Sequence, residues 1–329
     1  MHSIHRRQAC LCAAALAAAA AFPLAASAQA AWPTRTVTLV VPTSAGSAPD
    51  IYARVLAEQL GRQTGGTFIV ENRVGANGNV AIEYVLRGPD DGSLLFLGTQ
   101  SILTINPSAY SQLRWKPSDL TPIIKGVASP MVLVTHPSVP ARNFGELREW
   151  IPTQKGKLAY ASFSAGTPSH FLGYQLNERL KADMVHVAYK GSAPQVNDIL
   201  GGQVPLGFTQ LAVAVAHIKA GKLNALAVTG PERDPALPQV PTLAELGLGE
   251  LSTAVWFGVL APAAAPAPVK EAILQAMVKA HADPGVRAKL QAQNFSVPAE
   301  AGAAFGKSMA EETVRWAGIV KATGFRAVD

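Results

Sequence analysis

Residues 157–177 read KLAYASFSAGTPSHFLGYQLN. Leu158–Ala161 is a short apolar run with the character of a buried strand, and Phe171–Leu180 has that of a helix. Between them Ser162–His170 is a run of small hydroxyl residues and glycine, with Pro168 acceptable in a first helical turn, where a missing N–H deprives the helix of nothing. Such a strand–loop–helix junction aims free backbone N–H groups and the positive end of a helix dipole at whatever lies beyond the strand, which favours an anion. Ser, Thr and Gly also make good caps and tight turns, so one such loop alone leaves both readings open.

A second copy stands earlier in the chain. Val37–Val41 is a β-branched strand, Thr43–Asp50 reads TSAGSAPD, and a helix is expected from Ile51 to about Gln63. Both loops carry Ser-Ala-Gly, then Ser or Thr, then a proline that opens a helix. Two such cradles far apart in sequence imply two lobes, each offering an anion-binding lip to a shared cleft.

Working outward, strands at Phe68–Glu71 and Leu94–Leu97 alternate with helices, and the latter strand exits into the polar loop Gly98–Ser101. Met131–Thr135 is apolar and extended, a candidate for the first crossing between lobes. Strands at Val185–Tyr189, Val204–Phe208 and Leu223–Val228 follow, and Trp256–Leu260 recrosses. This alternation predicts an α/β fold with largely parallel sheets, whose ligands collect beyond the carboxyl ends of the strands. Three C-terminal helices close the chain. In the last, Phe305, Met309, Trp316 and Val320 form an apolar stripe expected to be core.

The chain of 329 residues is long enough for two domains, and 49% hydrophobic against 15% charged residues supplies a large core and argues against disorder. Arg6 and Arg7 precede an alanine-rich apolar stretch, Leu11–Ala26, and small residues at Ala26–Ala30 fit a cleavage site. Residues 1–30 are therefore expected to be a removable export signal, of the Sec or twin-arginine route, giving a periplasmic protein. Both cysteines, Cys10 and Cys12, fall within it, so the mature chain is expected to need no disulfide. Without Arg6 and Arg7, 26 basic residues face 22 acidic ones and the formal net charge falls from +6 to +4. No Lys/Arg block with interleaved aromatics points to nucleic acid. The longest apolar run of the mature chain, Ala254–Val269, is broken by Pro262, Pro266 and Pro268 and does not read as a membrane span.

Catalytic patterns are missing. There is no GxSxG elbow, and Ser169 and His170, adjacent on a helix, make a poor nucleophile–base pair. His136, His170, His186, His217 and His281 are scattered without metal-ligand spacing, so neither a metal nor a cofactor is expected.

Taken together, TVTLVVP with Asp50 and Arg54, ENRVGANGNVA, SFSAGTPSH, AYKG, NDILGGQVPLGF, AGKLNALAVTG, PQVPTLAE and WFGVLAP resemble, in order and spacing, the Bug-type extracytoplasmic solute receptors of tripartite tricarboxylate transporters. The resemblance covers essentially the whole mature chain. It implies a two-lobed periplasmic-binding-protein fold of type II character, with a hinge and an interfacial cleft that closes on a small carboxylated ligand. Domain 1 would be 31–130 plus 253–329 and domain 2 would be 131–252. It further implies a non-enzymatic monomer that delivers an organic acid to membrane subunits of a transporter. By position, the ligand would meet Thr43, Ser44, Gly46 and Ser47 of the first loop and Ser164, Ala165, Gly166 and Thr167 of the second. The polar strand exits add Thr99, Gln100, Tyr189 and Thr209, and Lys190 stands where it could face a second carboxylate. His170 is expected to cap or pack its helix, and Asp50 to complement a helix dipole.

This chain departs from the family pattern at Ser44–Pro49, where a Pro-Gly-Gly turn is usual, and at Thr209-Gln210, where many relatives carry an acid or amide pair. The second departure leaves a ligand amine without a carboxylate and disfavours an amino acid. Alternatives are a ligand-sensing receptor for a membrane signalling system and, in another class, a periplasmic Ser/His hydrolase.

Overall fold

The computed structural model describes residues 32–154 and 156–327. The expected export signal and both cysteines lie outside the described residues.

Val37–Val41 (β1) is buried along its whole length, as a β-branched run covered on both faces must be. It pairs in parallel with Phe68–Asn72 (β2) and with Leu94–Thr99 (β3). The intervening helices are Ala48–Thr64 (α1), closed by Gly65 in the left-handed conformation, and Asn79–Leu86 (α2). A turn of π-helix, Ser101–Ile105, leads into the short helix Asn106–Ala109 (α3).

The long strand Leu120–Thr135 (β4) has 16 residues and so spans roughly 50 Å at ~3.3 Å per residue. Phe144–Trp150 (α4), Ala159–Ser162 (β5), Pro168–Leu180 (α5), Val185–Ala188 (β6), Ser192–Leu200 (α6), Leu206–Gln210 (β7), Leu211–Lys219 (α7) and Asn224–Val228 (β8) build the second lobe. Ala254–Pro262 (β9) returns to the first lobe, followed by Ala267–Ala282 (α8), Pro284–Ala292 (α9), the two-residue strand Glu300–Ala301 (β10) and Ala303–Thr323 (α10). The path of the sheet is β2-β1-β3-β9-β4-β7-β5-β6, with β8 and β10 pairing to β4.

β4 is the common member. Leu120–Pro130 runs antiparallel to β9, and from Met131 onward the strand lies between β7 and β8. The sequence reading placed only Met131–Thr135 in a strand. Pro122, Lys125, Gly126, Ser129 and Pro130 give the preceding stretch the look of a loop. The sheet accommodates them through register shifts at Pro122/Ile124 and Lys125/Val127. The three C-terminal helices are present, and Phe305, Met309, Trp316 and Val320 are all buried.

Helix α1 and helix α8 are tied through the core. The Tyr52 hydroxyl lies 2.8 Å from His281 Nε2, and His281 Nδ1 lies 2.7 Å from the Met277 carbonyl. A carbonyl only accepts, so Nδ1 carries the proton and Nε2 accepts from Tyr52. Gly126 of β4 packs directly beneath this pair, and a β-carbon there would collide with the Tyr52 hydroxyl and the His281 ring. Gly126→Ala is expected to cost about 1–3 kcal/mol of stability, the usual cost of overpacking a dense core, read as a lowered midpoint of urea unfolding.

Candidate functional site

The carboxyl ends of β1, β3, β5 and β7 converge between the lobes, around a cavity of about 130 Å³. From the first lobe come Pro42 and Thr43 beyond β1, Val74–Gly78 after β2, and Thr99, Gln100 and Ser101 beyond β3. The second lobe contributes Phe163, Ser164 and Thr167, then Tyr189–Ser192, then Gln210 at the end of β7. Val255 and Phe257 of β9 complete the wall. Among the described residues the lining contains one charged residue, Lys190, and no carboxylate or histidine.

Of the positions singled out from the sequence, Thr43, Thr99, Gln100, Ser164, Thr167 and Tyr189 line this cavity. Ser44, Gly46 and Ser47 lie instead where the lobes touch. Ser44 donates to the Lys190 carbonyl from both its amide, at 3.0 Å, and its hydroxyl, at 2.8 Å. Ser47 Oγ accepts from the Ala193 amide at 3.2 Å, and Ser192 Oγ accepts from the Ala48 amide at 3.3 Å. Each helix start, α1 and α6, is thus capped by a serine of the other lobe. Gly191, with φ 130°, lets the chains approach, because a β-carbon there would meet Ser47 Oγ.

The Gly46 amide donates to Asp50 Oδ2 at 2.9 Å and the Ser47 amide to the Ser44 carbonyl at 3.2 Å. The amides of Ser44, Gly46 and Ser47 therefore all have protein acceptors in this closed arrangement. Burial would raise the pKa of Asp50, but hydrogen bonds from Arg54, Gly46 and Asn72 outweigh it and hold the carboxyl below its ordinary range.

In the second loop Thr167 caps α5, accepting from the His170 amide at 3.4 Å and donating to the Ser164 carbonyl at 2.6 Å. Gly166 is in the left-handed region, its amide donates to His170 Nδ1 at 3.1 Å, and Phe325 covers it. Ala165 and Thr209 do not line the cavity. Thr209 is buried with its hydroxyl unpartnered, and its neighbour Gln210 takes the lining position.

The glycine-rich turn at 74–78 and Gln210 were visible in sequence as strand exits on the same edge, but nothing local says which of their atoms face the cleft. Ser169 Oγ donates to the Phe208 carbonyl at 2.5 Å, so Ser169 and His170 are not arranged as nucleophile and base. Among the described residues no group of three His, Cys, Asp or Glu side chains is placed to hold a metal, and no helix is long and apolar enough to cross a membrane.

Beneath the second loop, His170 and His186 stack with ring centroids 3.8 Å apart. Ser162 donates its one hydroxyl proton to the Ser164 carbonyl, so the 2.7 Å contact with His186 is a donation from Nε2–H to Ser162 Oγ. His170 Nδ1 is an acceptor, so that ring is neutral. Burial, with the neighbouring His186 adding to it, lowers His170 to about 3, and burial lowers His186 to about 4.

The model of the tripartite tricarboxylate transporter family receptor matches residues 52–325. The periplasmic binding protein BugD superposes with a TM-score of 0.85 at 32% identity, over 90% of this chain and 99% of that one. A Rhodopseudomonas palustris protein with adipate gives 0.83 at 30% identity, over 90% and 100%. MatC of the same organism, with bound malate, gives 0.82 at 28% identity, over 88% and 100%. The chain belongs to the tripartite tricarboxylate transporter receptor family, of the Bug type, and has the two-lobed periplasmic-binding-protein fold.

The histidine stack predicts an acid-sensitive second lobe. Both folded-state values lie below the ordinary 6.5, so below that pH the unfolded chain takes up protons that the folded chain refuses. The melting temperature is expected to fall as pH drops from 7.5 toward 4. In His186→Phe, which keeps a ring in the stack, the fall should be shallower, with buried His170 and His281 supplying the remainder. A pH–melting curve of unchanged slope would contradict this.

Proposed function

We propose that this receptor captures a small organic acid in the periplasm by closing its two lobes and delivers it to membrane subunits of a tripartite tricarboxylate transporter. One observation carries the proposal. The starts of three helices, α1, α5 and α6, contribute Pro49, Thr167 and Ser192 to a cavity whose only charged lining residue, among the described residues, is a lysine. Positive helix ends without a facing carboxylate suit an anionic ligand. The adipate and malate held by two structural relatives are carboxylates of fitting size.

In this proposal residues 31–130 with 253–329 form one closing body and 131–252 the other, and residues 1–30 direct export. Thr43, Thr99, Gln100, Ser164, Thr167 and Tyr189 meet the ligand, while Ser44, Gly46 and Ser47 secure the closed form. Ala165 and Gly166 shape the second loop, and Thr209 sets the position of Gln210. The absence of a lining carboxylate argues against a ligand amine, since a buried ammonium without a partner is costly.

Micromolar affinity corresponds to about −8 kcal/mol. A single helix end supplies only ~0.3–1 kcal/mol, or ~2 when partly buried, so both lobes must contribute. Ligand-free mature protein, screened by thermal shift against mono-, di-, tri- and aromatic carboxylates, is expected to show a concentration-dependent rise with one class and no turnover. Thr167→Val should weaken that ligand about tenfold or more by calorimetry, and retained affinity would speak against the mechanism.

Closure makes a separate prediction. Combining Ser47→Ala with Ser192→Ala removes both cross-lobe caps. By small-angle scattering the variant should have a larger radius of gyration, and its affinity should fall through a less populated closed state.

A further inference from the structure

The C-terminal end of the chain crosses from the first lobe to the second. Helix α10 ends at Thr323, Gly324 closes it in the left-handed conformation, and three residues later the Ala327 amide donates to the Ala109 carbonyl at the end of α3, at 2.9 Å. The segment is thus pinned to the first lobe on both sides of Phe325. Between these anchors the Phe325 ring meets the second lobe, edge-to-face, at 5.1 Å from the ring of His170 and 5.4 Å from that of Phe171. Trp316 of α10 lies 5.8 Å from the same Phe171. Phe171 belongs to α5 of the second lobe, yet it is buried in a cluster with Ile105, Ala109, Trp316 and Val320, all of the first.

Phe325 also bears on the second cradle loop. The Gly166 backbone lies so close to its ring that a β-carbon there would come within 2.9 Å of Phe325 Cε1. Gly166 stands between Ser164 and Thr167, which line the cavity, and its amide donates to His170, the other ring that Phe325 touches. Phe325 itself is not part of the lining. The serine bonds between α1 and α6 are polar, whereas this second contact between the lobes is apolar and aromatic. Edge-to-face pairs at such separations attract, and apolar surface that the closed lobes cover would return to water as they part.

We propose that Phe325 is a positioning residue of the binding site: it straps the second cradle loop to the first lobe in the closed form, so that ligand affinity depends on a C-terminal side chain that does not touch the ligand. This rests on the closure reading above and extends it to a contact outside the cavity.

The test compares the ligand-free mature protein with Phe325→Ala, which removes the ring, and Phe325→Tyr, which keeps it. By small-angle scattering, ligand-free Phe325→Ala should have a larger radius of gyration than the parent, and Phe325→Tyr should match the parent. In calorimetry with malate, succinate, adipate and benzoate as probes, the tightest-bound acid should bind Phe325→Ala about threefold or more weakly, through a less populated closed state, and Phe325→Tyr within about twofold of the parent. Thermal unfolding of each ligand-free variant reports that it folds.

Unchanged affinity in Phe325→Ala, or a loss that Phe325→Tyr shares, would overturn the inference while leaving the carboxylate reading intact. Binding of no acid even by the parent would overturn the carboxylate reading. The scattering comparison then decides the strap by itself, and an unchanged radius of gyration in Phe325→Ala overturns it.

Discussion

Across the cleft two helix N-termini cap each other. Ser47 and Ser192 exchange hydroxyl-to-amide bonds with the first turns of α6 and α1, and Ser44 fixes the adjoining Lys190 carbonyl. The bonds to Ser47 and Ser192 each satisfy an amide that a helix start leaves orphaned. The arrangement also brings two positive helix ends together, which by itself is unfavourable. Asp50, buried and hydrogen-bonded to Gly46, Arg54 and Asn72, supplies compensating charge on one side.

The two lobes also share one strand. β4 changes partners between Pro130 and Met131, from β9 on one side to β7 and β8 on the other. Thr229 ties the junction: its hydroxyl accepts from the Met131 amide at 2.8 Å and donates to the Thr253 carbonyl, while its own carbonyl accepts from the Thr253 amide. The strand that passes between lobes and the segment leading into β9 are therefore joined at one buried threonine.

Much of this was legible in sequence, for definite reasons. β-branched Val37–Val41, the Ser-Ala-Gly loops and the helical spacing of Phe305, Met309, Trp316 and Val320 are local patterns, and local patterns report burial and turn geometry. Leu120–Pro130 was not legible as a strand, because its prolines and polar residues are tolerated only through bulges against β9. Within the site, the loops could be placed at the sheet's carboxyl edge, but not the direction of each hydroxyl. Ser44 and Ser47 find their partners 146 residues away, and Gln100 is oriented by a carboxylate 212 residues further on. No periodicity encodes a pairing of that range.

The same distinction separates what the fold makes general from what this chain makes particular. Helix ends and hydroxyl loops attract any small anion, and relatives sharing the architecture hold acids as different as adipate and malate. Discrimination must then come from groups whose donor or acceptor character cannot adjust. A serine hydroxyl rotates to suit its ligand, and a free glutamine can turn its amide over. Gln100 cannot do so while Glu312 accepts from Trp256 and Gln100 together.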